Sequence, residues 1–420
     1  MIVVDPARDP QPYYDFAALN KASIVGIIET HPHADFISSH LEMHQTTGAV
    51  IYASRLLGAL YTHQCFDDGD VIELNGIRLI AMNTPGHSPD SVCILVEDEN
   101  GNETALFSGD TLFVGDVGRP DLRENAGNLT AKREELARQM YRSTREKIMV
   151  LPHNVAVYPA HGPGSLCGKA MGPDLESTIG RELRENYALQ LMDELIFVKT
   201  LIQDQPFIPK YFGYDVDINK RGAPPFKASI DAVPRIDRNA PLENNVVIID
   251  TRPGNDFKTR HLKGSVNLQN GEKFETWLGS IIVPGERFYL IAATETDLNE
   301  MIKKTAKIGY EQFIKAALLL PDQATEKSPL LDLDDLKTHY EKYTIIDVRN
   351  PGETAHGLIF GNAINIPLPG LRERIKEIPA GKPIVVHCAA GYRSAIAASI
   401  IAGNIKTVPV YDLGEAIATF

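Results

Sequence analysis

Short runs of β-branched and other apolar residues punctuate the first 160 positions of the chain, at 2–4, 24–28, 50–52, 77–81, 92–96 and 155–158. Turn residues and helical passages separate them, so the pattern predicts strands alternating with helices in an α/β sandwich. A helix-like stretch runs from about residue 176 to Asp204-Gln205-Pro206. After it, Gly222-Ala223-Pro224-Pro225 reads as a connecting segment.

Beyond that segment the pattern repeats. Val247-Ile248-Ile249-Asp250-Thr251-Arg252-Pro253-Gly254 is echoed by Thr344-Ile345-Ile346-Asp347-Val348-Arg349-Asn350-Pro351-Gly352, with the two aspartates 97 residues apart. Each copy continues into a Gly and Asn pair, Gly264 with Asn267 and Gly361 with Asn365. Each then reaches an apolar run, Phe288–Ala292 or Ile384–His387, that reads as a buried strand. So long a period does not suit a solenoid; two copies of one small α/β domain with parallel sheets is the better reading. The expected domains are 1–225, 226–322 and 323–420, three in a chain of 420 residues.

Charge and cysteine usage narrow the function classes. A net charge of −13 argues against DNA or RNA as the main partner, because binding phosphates needs a basic surface. No stretch approaches the roughly 18 apolar residues of a membrane-spanning helix, and the first ten residues carry no signal-peptide pattern. Cys65, Cys93, Cys167 and Cys388 are too few for a disulfide framework and read as reduced thiols in a cytoplasmic protein. Cys65 and Cys93 read as ordinary packing residues.

The histidines cluster. Thr30-His31-Pro32-His33-Ala34-Asp35-Phe36 follows an apolar strand, and two histidines at i and i+2 on a loop can point at one metal or merely decorate a turn. Three further segments have the same design: Pro85-Gly86-His87, Ser108-Gly109-Asp110 and Pro159-Ala160-His161 each place a metal-binding side chain just past a strand. Strand ends on one edge converge, so a shared site is expected.

This arrangement closely resembles the metallo-β-lactamase superfamily over about residues 24–165. The resemblance implies an αββα sandwich. By it, His31, His33, His87 and Asp110 would supply a first metal site, with Asp35, His161 and residue 36 supplying a second. Phe36 stands where a two-metal hydrolase has histidine, and it cannot ligate. That disfavours a zinc-dependent thioester hydrolase of the glyoxalase II type. What remains is a two-His, one-carboxylate face suited to one Fe(II) per chain. The persulfide dioxygenase branch is similar, and carrying its pattern over makes His31, His87 and Asp110 the iron ligands. His33, Asp35 and His161 become outer-shell or vestigial groups. Zinc in the purified protein is compatible with the same ligands.

The segment from Leu112 to Asp121 supports that branch, because the branch pairs the corresponding arginine, here Arg119, with a substrate carboxylate. A structural ion pair is the alternative. Cys167, beside Gly168 and Lys169, is either an exposed, sulfur-handling thiol or a passive small residue. Superfamily members usually have one or two strands before a VVDP-like segment. This chain has Val3-Val4-Asp5-Pro6 at its start, so a short N-terminal stretch is expected to be missing.

Cys388-Ala389-Ala390-Gly391-Tyr392-Arg393-Ser394 opens from the strand Ile384–His387 into a helical run at 395–401. Backbone N–H groups and a helix N-terminus facing a sulfur favour its anionic form, and Arg393 adds positive charge for an incoming sulfite or thiosulfate. With Asp347, Arg349, Glu353 and the Gly357 to Pro367 run, this resembles the rhodanese family over about 328–420. Leu358, where that family usually has histidine, is the one departure. The first copy places Ala292 at the cysteine position and follows it with Glu295 and Asp297, so it reads as a degenerate rhodanese.

The whole order resembles bacterial persulfide dioxygenase–rhodanese fusions of sulfide detoxification. That implies oxidation of a glutathione, coenzyme A or bacillithiol persulfide by O2 to sulfite, and conversion of sulfite to thiosulfate through a Cys388 persulfide. It also implies a homo-oligomer. Besides the hydrolase, a non-catalytic persulfide sensor using Cys388 alone stays open.

Overall fold

The computed structural model describes residues 1–124, 132–355 and 357–420. These form two units, Met1–Ala228 and Ser229–Phe420. No helix among the described residues is long and apolar enough to cross a membrane.

The first unit holds two main sheets. In the first, β1 (Ile2–Val4), β2 (Gly26–Glu29), β3 (Val50–Ala53) and β4 (Gln64–Cys65) lie parallel in that order. The second contains β5 (Val71–Leu74), β6 (Ile77–Asn83), β7 (Val92–Glu97) and β8 (Glu103–Gly109) as an antiparallel meander. A small hairpin, β9 (Leu112–Phe113) with β10 (Asp116–Val117), follows. Next, β11 (Ala156–Pro159) joins β8 in parallel, and β12 (Ser177–Thr178) closes that edge.

Alternation along the strands builds the layers. Ile27 packs with Ala17 and Met43 of the helices Gln11–Leu19 and His40–Thr47, whereas the next residue, Ile28, packs with Ala81, Val92 and Ile94 between the sheets. In β7, Cys93 and Leu95 turn the other way, toward Met140 and Phe197 of the helices Arg133–Ser143 and Glu194–Ile202. Period-two side chains therefore bury both faces of both sheets, which makes the αββα sandwich. β2 is buried at all four positions because both its faces are covered; Ile27 and Ile28 pack, and the buried Glu29 accepts from Ser38 Oγ at 2.7 Å.

The second unit contains two four-stranded sheets, each parallel throughout. The first has β13 (Val247–Asp250), β14 (Val266–Asn267), β15 (Phe288–Ala292) and β16 (Ile314–Leu319) in the order β14-β13-β15-β16. The second, with β17 (Thr344–Asp347), β18 (Ile364–Asn365), β19 (Ile384–His387) and β20 (Val410–Asp412), has the order β18-β17-β19-β20. The 97-residue repeat is thus a repeat of topology. Its Asp-x-Arg motif does the same work twice: Arg252 Nη2 lies 2.6 Å from Asp250, and Arg349 Nη2 lies 2.6 Å from Asp347. Asn267 and Asn365 each bridge the two carbonyls flanking that turn.

The stretch expected to be helical from about 176 to 204 is broken into Ile179–Glu185, a short 3-10 turn at Tyr187–Leu189, and Glu194–Ile202. Asn186 is the cause. Fully buried, its side-chain amide donates to the carbonyls of Phe113 and Asp116 at 3.3 and 3.0 Å, and its oxygen accepts from Ala188 N. A side chain so used favours a turn over continued helix. Asp193 then restarts the helix by accepting from Ile196 N. Asn186→Ala leaves the two hairpin carbonyls without this donor, and it should cost about 2 kcal/mol, measured as a lower denaturant midpoint.

Candidate active site

Four strand ends deliver the metal-binding side chains: β2 leads to His31, β6 to His87, β8 to Asp110 and β11 to His161. His31, His87 and Asp110 are all buried, with candidate ligand atoms within 4.8 Å of one another. Asp110 Oδ2 lies 3.6 Å from His31 Nε2 and 3.4 Å from His87 Nε2, while its Oδ1 lies 3.3 Å from His161 Nε2.

Neighbours of the outer ring nitrogens fix which nitrogen faces inward. Thr30 Oγ1 donates to Asp5 at 2.7 Å, so at 2.9 Å it serves as acceptor for His31 Nδ1–H. His87 Nδ1–H donates to the Arg119 carbonyl at 2.9 Å. Both imidazoles therefore present a bare Nε2 to the cluster. Asp5 is held for this purpose in the left-handed region, at φ 47°, and also accepts from Thr30 N.

The inner atoms fit a cation. His31 Nε2, both Asp110 oxygens, His161 Nε2 and Asp35 Oδ1 are buried without a hydrogen-bond partner. Such atoms are costly unless something satisfies them. Burial holds His31 and His87 below the ordinary imidazole range. Burial alone would raise Asp110, but His161, His31 and His87 hold it well below the carboxylate range. Neutral nitrogens around a charged carboxylate are the deprotonated donors a divalent transition metal requires.

A second group, His33, Asp35 and His161, also has candidate ligand atoms within 4.8 Å. It is less suited to a metal. The Phe36 ring packs 4.3 Å from His33 and 6.1 Å from His161. His33 Nε2 faces Asp5 Oδ1 at 3.1 Å, and although burial opposes it, Asp5 pushes the His33 ring up to about 9.

In the second unit, β19 ends at His387 and the helix Tyr392–Asn404 begins three residues earlier than its apolar run. Gly391, at φ 98°, caps that helix and donates its N–H to Cys388 Sγ at 3.1 Å. A Cβ on Gly391 would lie 2.9 Å from Gly414 C and Glu415 N, so only glycine fits. Arg393, expected to add positive charge for an incoming sulfite or thiosulfate, grips Glu353 with both terminal nitrogens, at 2.5 and 2.7 Å, so that charge is shared with a carboxylate. At the matching turn of the first copy, Ala292 ends β15 and Thr294 caps the helix Glu295–Ala306.

Residues 2–161 match the metallo-beta-lactamase superfamily and residues 332–415 match the rhodanese-like domain. A solved metallo-beta-lactamase from Staphylococcus aureus subsp. aureus COL is 30% identical, with a TM-score of 0.66, covering 76% of this chain and 90% of that one. The chain belongs to the metallo-β-lactamase superfamily and carries a C-terminal rhodanese domain. The bovine mitochondrial persulfide dioxygenase ETHE1 is 33% identical over 135 residues, which are 32% of this chain and 47% of that protein. The hydroxyacylglutathione hydrolase of Francisella tularensis subsp. novicida is 32% identical over 166 residues, 38% of this chain and 58% of that protein. The chain thus spans only about half the length of these two relatives.

Two expectations for this superfamily site are corrected. Arg119 is not available to a substrate: it is buried, and its five N–H donors face Asp121 (2.6 and 2.7 Å) and the carbonyls of Leu166, Phe207 and Pro206. It is the structural ion pair. Cys167 is not exposed but buried, and burial together with Asp35 and Asp110 pushes its thiol well above the ordinary range. Its sulfur stands within 4.8 Å of donor atoms of Asp110 and His161.

Two supporting residues escaped the sequence reading. Asn219, on the helix Phe212–Arg221, donates to the carbonyls of His33 and Phe36, both at 2.8 Å, and accepts from Ser38 N. Nothing local marks it, since the loop it holds is over 180 positions away. Gly118 is the other: a Cβ there would lie 2.0 Å from the Asp110 carbonyl oxygen and 2.8 Å from His87 Cβ. Gly118→Ala should displace both ligands and lower metal affinity about 10- to 100-fold, measured by metal titration of the apo protein.

Proposed function

We propose that this protein oxidises a low-molecular-weight thiol persulfide to sulfite at one iron per chain, held by His31, His87 and Asp110, and converts sulfite to thiosulfate at Cys388. The observation that carries the reading is Phe36 against His33 and His161, beside a complete two-His, one-carboxylate face. Zinc is a possible occupant of the purified site, and iron is the one that fits the reaction. When bound, Fe(II) supplies binding of the persulfide sulfur and activation of O2. The net change balances as RSSH + O2 + H2O giving RSH, sulfite and two protons, with RSSH of the glutathione, coenzyme A or bacillithiol type.

The chain's own residues do the rest. Thr30 and the Arg119 carbonyl keep the His31 and His87 rings in the tautomer that faces inward. Asp35 and His161, partly exposed and 3.4 Å apart, form the polar side of the site and are placed to hold water or move a proton. In the rhodanese domain a second RSSH gives its outer sulfur to the Cys388 thiolate and leaves as RS⁻; the Cys388 persulfide then gives that sulfur to sulfite, so that a new S–S bond forms in thiosulfate, the Cys388 S–S bond breaks, and its electron pair stays on Cys388. The Gly391 N–H donates to Cys388 Sγ, the sulfur that takes up this electron pair. The first copy, about 226–322, offers Ala292 at the cysteine position and so transfers no sulfur.

Metal analysis of anaerobically purified protein, with oxygen uptake on a panel of persulfides, is the direct test. About one iron per chain and uptake with a persulfide are expected; absence of uptake with every persulfide overturns the reading. Cys388→Ser should shift the product formed per O2 from thiosulfate to sulfite, measured by anion chromatography. Phe36→His should raise the metal bound from about one to about two per chain.

The hydrolase reading keeps one observation in its favour, the convergence of His33, Asp35 and His161. Two zincs per chain with turnover of a glutathione thioester would select it.

A further inference from the structure

The degenerate copy does more than separate two domains. Its helix Gly254–Thr259 presents Lys258, whose Nζ lies 2.7 Å from Asp412 Oδ2, at the end of β20 in the second copy. The other Asp412 oxygen accepts the Ser394 hydroxyl at 2.6 Å and Gly414 N–H at 2.9 Å. Ser394 Oγ is also 2.9 Å from the Gly391 carbonyl, and Gly414 backs directly onto Gly391. Gly391 in turn donates to Cys388 Sγ. The Lys258 ammonium stands close above Gly414, 3.3 Å from where a Cβ would be.

We propose that Lys258 is a positioning residue for the sulfur-carrying loop, acting through Asp412 on Ser394, Gly414 and Gly391. The proposal rests on the assignment of Cys388 as sulfur carrier. Its physical basis is compensation of charge. Asp412 is 7% exposed, so its carboxylate depends on Lys258 for its counter-charge. Without the ammonium, Asp412 adds an uncompensated negative charge beside a loop that must stabilise an anionic sulfur. It also loses the anchor that sets Ser394 and Gly414, and the Gly391 N–H is held less firmly on the sulfur. Donors preorganised toward developing charge are worth most when they do not have to move.

Another link between the copies serves as the control: Arg372 Nη2 meets Glu286 at 2.6 Å, a contact outside the chain of bonds from Lys258 to Cys388.

The test uses the full chain, persulfidated at Cys388 and mixed with sulfite in a single turnover. Lys258→Met should slow thiosulfate formation roughly tenfold, with the half-saturating sulfite concentration within about twofold of wild type. Lys258→Arg should restore most of the rate, and Arg372→Met should stay near wild type. Oxygen uptake at the metal site should be the same in all. A wild-type transfer rate in Lys258→Met overturns the proposal, and so does equal slowing by Arg372→Met, which would mean that any loosening of the copies suffices. Alkylation of Cys388 by iodoacetamide, read by peptide mass, separates this result from the functional reading. If Cys388→Ser still makes thiosulfate, the carrier assignment fails, while slower Cys388 alkylation in Lys258→Met still supports positioning and unchanged alkylation refutes it.

Discussion

The first unit is organised around a buried carboxylate that the protein itself does not satisfy. Asp110 sits among three imidazoles with neither oxygen hydrogen-bonded, and burying such a charge is costly unless a cation collects it. Much of the neighbouring structure keeps that arrangement from relaxing. Asp5 accepts a strained backbone to orient Thr30; Thr30 orients His31; the Arg119 carbonyl orients His87. Arg119 is itself pinned by Asp121 and three carbonyls, so its main chain cannot drift from His87. A side chain first read as a substrate clamp is the bolt that holds a ligand's outer partner.

The rhodanese domain solves the complementary problem. There Cys388 Sγ receives the Gly391 N–H at a tight turn into a helix. The turn needs glycine at 391, where a Cβ would lie 2.9 Å from Gly414 C. Asp412 ties that turn to the sheet through Ser394 and Gly414. Both sites therefore obey one rule: the atom that does chemistry is held by groups that are themselves held, and the outermost of these are far off in sequence.

That rule explains what the sequence disclosed and what it withheld. The strands of the sandwich were legible because alternation and unbroken apolar runs report burial directly, as Ile27 and Ile28 do on opposite faces of β2. The cluster of His31, His87, Asp110 and His161 was legible because each member follows its strand within a few residues. Phe36 announced itself by occupying a ligand's place. The helix break at Asn186 was not legible because it depends on two carbonyls some 70 positions away. Asn219 and Gly118 were passed over for the same reason: their importance lies in what is packed against them. Arg119 was misassigned because a guanidinium near a ligand looks alike whether it meets a substrate or Asp121.

The two copies in the second unit separate the demands of fold from those of function. Asp250 with Arg252 and Asp347 with Arg349 are preserved alike, and each pair buries a charge that could not be removed singly without leaving the other stranded. The catalytic loop carries no such penalty, since Ala292 and Thr294 at the matching turn still end a strand and cap a helix. The fold of this copy therefore needs no cysteine at that turn. Its surface still reaches the turn that carries Cys388, for Lys258 meets Asp412, and Asp412 holds Ser394 and Gly414 behind that turn.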